Sequence, residues 1–133
     1  MDSLTTNRTW KEKIILKGNF TISNTIIVKS YTILEFQGKI TVADNVNIDA
    51  AIKSEGFDEF AGTNSTGAAV EVEIVGLKLD GNHACNFGLK LYGRKLTLKD
   101  ANIYYGKEDG IWTEWSTDPG VSNPDEAMEG IFS

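Results

Sequence analysis

Four residues, Lys90, Tyr92, Trp112 and Glu114, have the types and the spacing to hold a sugar. Lys90 lies twenty-two residues before Trp112, and Tyr92 twenty-two before Glu114. They sit in two alternating runs, Gly88-Leu89-Lys90-Leu91-Tyr92 and Gly110-Ile111-Trp112-Thr113-Glu114. Leu89, Leu91 and Ile111 mark one face of a strand, so the other four side chains share the opposite, outward face. Aromatic rings stack on pyranose faces, while an ammonium and a carboxylate exchange hydrogen bonds with hydroxyls. The rival reading is an ordinary sheet surface, because aromatic residues also favour strands on packing grounds.

Catalysis asks for more. Glu114 could act as one carboxyl of a pair with Glu108 or Asp109, but glycoside hydrolysis needs two carboxyls about 5–9.5 Å apart across the scissile bond. Asp109, Asp118, Asp125 and Glu126 could offer oxygens to calcium, which takes six to eight. Their irregular spacing matches no Asp-x-Asp-x-Asp-Gly loop, so no metal site and no cofactor is assigned. Cys85 is the only cysteine and His83 the only histidine. A thiol nucleophile needs a neighbouring base, but Asp80-Gly-Asn-His-Ala-Cys-Asn86 reads as a loop, and Cys85 reads as a small apolar residue. Asn7, Asn19 and Asn64 stand in Asn-x-Ser/Thr sites, which matter only in a secreted eukaryotic chain.

The elements that would carry these residues come from repetition. Lys11 to Asp49 is one short pattern written twice: at a spacing of twenty, Ile14 lies over Leu34, Leu16 over Phe36, Phe20 over Ile40 and Ile22 over Val42. The match extends to Ile26 over Val46 and Val28 over Ile48. Period-two alternation means strand, and strands this short cannot bury a face alone. A repeat of about twenty residues built from them is a solenoid, each layer covering the last. At a spacing of twenty-four, Val72 and Ile74 fall over Leu96 and Leu98, and Leu77 and Leu79 over Ala101 and Ile103. The changing spacing places length differences in the connections. The fold expected is an all-β, parallel β-helix.

The remaining segments depart from the rhythm. Residues 1–13 read as an N-terminal cap, with Trp10 as a lid over Ile14 and Ile26. Residues 50–69, small, polar and Gly-rich, read as an inserted loop whose Phe57 and Phe60 fold back on the wall. Residues 116–133 read as a C-terminal loop with a short helix that starts at Asn123-Pro124-Asp125-Glu126. Met128, Ile131 and Phe132 would share one face of it.

The whole is one domain of 133 residues, expected to be a fragment of a longer β-helix. Residues 1–106 carry twelve acids and twelve bases, and residues 107–133 seven acids and one base. That balance offers no basic stripe for nucleic acid. No run of eighteen apolar residues is present, so no membrane is expected as partner.

The run Val72-Glu-Ile-Val-Gly-Leu-Lys-Leu-Asp-Gly-Asn82, with Gly-Leu-Lys-Leu-Tyr-Gly and Leu-Thr-Leu-Lys-Asp-Ala-Asn-Ile after it, resembles the right-handed parallel β-helix proteins of the pectin-lyase-like superfamily. The resemblance spans roughly residues 11–115 and is one of repeat pattern. It implies a right-handed, single-stranded parallel β-helix of about four to five coils. It also implies a polysaccharide as the ligand, in the manner of polysaccharide lyases, glycoside hydrolases and phage tailspikes, and an extracellular or virion-surface setting. The Asn-Thr-Asp, Asp-Asp and Gly-His-Gly motifs of polygalacturonase-like enzymes are absent. The expectation is a carbohydrate-binding domain, inactive by itself. The alternative is a structural or adhesive solenoid that self-associates through its open C-terminal end.

Overall fold

The computed structural model describes residues 10–60, 69–115 and 130–132. Twelve strands and one short helix fall within them. The strands are β1 (Glu12–Lys17), β2 (Phe20–Ile22), β3 (Ile26–Val28), β4 (Thr32–Gln37), β5 (Lys39–Val42) and β6 (Ile48–Ser54), followed after α1 (Phe57–Phe60) by β7 (Ala69–Val75), β8 (Lys78–Asp80), β9 (Cys85–Lys99), β10 (Asn102–Tyr104), β11 (Asp109–Trp115) and β12 (Gly130–Phe132). The architecture is all-β, with parallel, strongly curled sheets of a solenoid-like kind.

The pairing runs in rows. β2, β5, β8 and β10 stack in that order as a four-stranded parallel sheet. β1, β4 and β7 stack onto the second half of β9, while β3 and β6 stack onto its first half. β11 and β12 pair with the first and second halves of β9 respectively. β9 therefore turns a corner and joins two rows into one sheet. Most of the expected columns are in register: Ile14 with Leu34, Leu16 with Phe36, Phe20 with Ile40, Ile22 with Val42, Val72 with Leu96, Ile74 with Leu98, and Leu79 with Ile103.

The core follows from alternation. Thr32, Leu34 and Phe36 of β4 are buried and their neighbours are not, and Ile40 and Val42 alternate likewise in β5. Leu34, Ile40, Val42, Ile74, Leu79, Leu89, Leu91 and Leu96 are fully buried in one cluster. Each such side chain contributes about 1.5–3 kcal/mol of transfer free energy, which holds layer on layer.

The corners repeat too. Thr32, Val72 and Leu96 are in register, and the residue before each, Tyr31, Glu71 and Lys95, has φ of 58°, 58° and 55°. A left-handed residue with a side chain costs about 1–2 kcal/mol. It is retained here because the rows on either side dictate the turn.

Several expectations need correction. Ile26 pairs with Ile52 and Val28 with Ser54, a spacing of twenty-six, not with Val46 and Ile48. The second layer is longer than the first because β6 runs on to Ser54 through residues read as loop. Trp10 is 65% exposed and is no lid, and β1 already begins at Glu12, whose N–H donates to the Tyr31 carbonyl. Ile131 and Phe132 lie in β12, opposite Thr97 and Leu98, rather than on a helix. The remainder of the expected cap, and the helix start at Asn123, lie outside the described residues.

Candidate functional site

The four residues singled out for sugar binding are brought together in the expected register. Lys90 is opposite Trp112 and Tyr92 opposite Glu114, with Leu89 and Leu91 in the core beside them. Lys90 and Tyr92 do not form an open surface. Lys90 is 7% and Tyr92 1% exposed; the side chains of Trp112 and Glu114 lie outside what is described.

The cover over Lys90 comes from α1. Phe57 is buried, as expected of a residue folding back on the wall. The Lys90 ammonium lies 4.7 Å from its ring centroid and 5.1 Å from that of Phe87. Such cation–π contacts favour a desolvated cation. Lys90 Nζ also donates to Asp49 Oδ2 at 2.7 Å. Lys53 Nζ lies 3.1 Å from the same oxygen and donates to both oxygens of Asp58 at 3.1 Å. Below them, Tyr92 N–H donates to Ser54 Oγ at 2.9 Å. Burial alone would raise the Asp49 carboxyl, but the hydrogen bonds and charges of Lys90 and Lys53 outweigh it and hold it below the ordinary aspartate value. Lys53 mirrors this: burial pulls it down, and Asp49 and Asp58 together push it above the ordinary lysine value. This cluster straps α1 to β6 and β9. Its charges satisfy one another.

The carboxyl candidates lie on β11 and just before it. Glu108 is exposed, with its N–H on the Asn86 carbonyl. Asp109 and Glu114 stand opposite Phe87 and Tyr92 on one strand. Five residues of strand separate their backbones by roughly 16 Å, and their side chains lie outside what is described. Among the described residues no three His, Cys, Asp or Glu side chains gather as a metal site; Asp118, Asp125 and Glu126 lie outside them. Cys85 is fully buried, its Sγ against the Gly81 carbonyl, and burial pushes its thiol up. His83 instead is exposed, its ring 5.1 Å from that of Tyr105.

A different corner has the open polar chemistry. The turns that follow β5 and β8 come together in a cleft of about 450 Å³ lined by Asp44, Asn45, Val46, Asn47, Asn82, His83 and Ala84. Asn45, Asn82 and His83 have φ of 64°, 53° and 50°, as does Tyr105 alongside at 59°; Asn tolerates this region better than most residues. Asn82 ties the layers: its N–H donates to Asp80 Oδ1 at 2.8 Å, and its Nδ2 donates to the Val42 carbonyl at 3.0 Å and to Asp44 Oδ1 at 2.7 Å. Lys107 Nζ donates to Asn47 Oδ1 at 2.6 Å. Tyr105 is 56% exposed beside His83 and packs edge-on against Tyr104.

Sequence reasoning passed over this corner. Asn45 and Asn82 are thirty-seven residues apart, off every repeat spacing. A signal was present: each Asx-rich turn directly follows a strand of one row, with Thr41 paired to Asp80.

Comparison with family models, with curated proteins and with solved structures finds no match to this chain. The reading of function therefore rests on geometry.

Proposed function

We propose that this chain is a right-handed, single-stranded parallel β-helix domain of four to five coils, akin to the pectin-lyase-like superfamily, that binds a polysaccharide without cleaving it. The curled parallel rows support the architecture. The observation that carries the binding is the cleft of Asp44, Asn45, Asn47, Asn82 and His83 with Tyr105 beside it. Sugar hydroxyls both donate and accept, and so do amide side chains. An exposed phenol ring offers a flat apolar face to the C–H side of a pyranose. The site is placed on corners held by the stacked rows, so little ordering is needed when a ligand arrives.

The test is a glycan array followed by titration calorimetry on the chain, on Tyr105→Ala and on Asn47→Ala. Each variant should weaken binding at least about tenfold, equivalent to about 1.4 kcal/mol, with the circular dichroism spectrum unchanged. Absence of glycan binding, with concentration-dependent assembly in its place, would leave the structural solenoid as the better account.

A further inference from the structure

We infer that the cleft selects an uncharged glycan and rejects polyuronates, with Asp44 as the residue that discriminates. This rests on the binding role proposed above and adds the class of ligand. Of the seven residues that line the cleft, Asp44 is the sole carboxylate, and none is Lys or Arg. A uronate polymer brings one carboxylate per sugar, and each must find a cation or a dense set of donors when it leaves water. Neither cation near the cleft is among its lining residues: Lys107 Nζ donates to Asn47 Oδ1 at 2.6 Å, a neutral amide that orients it without cancelling its charge, and Lys39 Nζ lies 3.8 Å from Asp80 Oδ2 and 5.4 Å from the Tyr104 ring centroid.

Asp44 is exposed, and its Oδ1 accepts from Asn82 Nδ2, which orients the carboxylate without neutralising it. It therefore presents negative charge where a uronate carboxylate would enter. A like-charge contact of this kind rejects the wrong ligand more than it helps the right one. The net charge of −6 adds a repulsive field for any polyanion, and salt screens that field.

The probes are neutral polysaccharides (a β-glucan, a mannan and a galactan) against polygalacturonate and alginate, at low and at high salt. The chain should bind one of the neutral polymers at least tenfold more tightly than either polyuronate at low salt. Asp44→Asn keeps an acceptor for Asn82 and should narrow that ratio about fivefold or more by gaining polyuronate binding. Equal or tighter binding of a polyuronate by the unaltered chain overturns the inference while leaving glycan binding intact. So does an unchanged ratio in Asp44→Asn. If no polymer of either kind binds, the binding role itself fails. Circular dichroism and thermal melting of Asp44→Asn separate a folding defect from a change of selectivity, and Asp44→Ser, which removes the charge with a smaller side chain, should narrow the ratio in the same direction.

Discussion

Lys90 and Asp49 lie forty-one residues apart in the chain, yet the Lys90 ammonium nitrogen is 2.7 Å from Asp49 Oδ2. One carboxylate oxygen serves both Lys90 and Lys53, and the pair holds the outer layer of the protein against β9. Asp49→Ala takes the nearest carboxylate from an ammonium that is 7% exposed. Because the Asp49 side chain is itself 40% exposed, water softens the loss, and a cost of about 1–3 kcal/mol is expected. Lys90→Met keeps the stem between Phe57 and Phe87 and leaves Asp49 to Lys53, so it should cost less than about 1 kcal/mol. Urea denaturation of the two variants side by side gives the comparison, and equal costs would refute the account.

The same cluster sets a pH dependence. The Asp49 carboxyl titrates lower in the native state than in the unfolded one. Between those two values the unfolded chain binds more protons, so stability rises with pH. The contribution is complete above the ordinary aspartate value and is lost as pH falls through the depressed native one. Lys53 is raised in the native state, so its contribution is complete below the ordinary lysine value and disappears as pH rises through the raised one. Asp49→Asn should flatten the acid limb of a stability–pH curve and shrink the alkaline limb. A variant whose curve parallels the unaltered chain at both ends would count against this.

Two glycines in neighbouring layers should respond differently to alanine. Gly18 and Gly38 both have positive φ, 85° and 150°. A Cβ on Gly18 meets nothing, whereas one on Gly38 runs into the Gly18 carbonyl. Gly18→Ala should cost about 1 kcal/mol of backbone strain. Gly38→Ala adds a backbone clash and should cost on the order of 3 kcal/mol. Thermal melts of the two variants rank them, and the reverse order would contradict the stacking of these turns.

Ile22 and Val42 occupy one column, but the column has an end. Val42 is fully buried while Ile22 is half-buried in β2, at the edge of its sheet. Val42→Asp places an unpaired charge in the core and should unfold the chain, a cost above about 4 kcal/mol. Ile22→Asp keeps its carboxylate near water and should leave a cooperative unfolding transition. If Ile22→Asp proves as damaging as Val42→Asp, β2 is not the end of its row.

What could be read in the residues alone was whatever repeats locally. The alternation of Ile14, Leu16, Phe20 and Ile22 over Leu34, Phe36, Ile40 and Val42 implies both strand and stacking, because period two is a property of neighbours in the chain. The register of Lys90 with Trp112 was legible for the same reason, since the stretch between them carries no insertion.

Tertiary structure decided the rest. Val46 and Ile48 match Ile26 and Val28 in pattern, yet Ile52 and Ser54 take those places: an apolar residue can be satisfied by any layer, and only connection length chooses which. Lys90 and Tyr92 face away from the core as alternation requires, but a strand's pattern cannot say whether another segment will cover that face, and Phe57 helps cover it. The cleft of Asp44, Asn47, Asn82 and His83 joins two turns of unequal spacing. Its existence depends on how one layer lies on the next, a long-range packing outcome that no local period encodes.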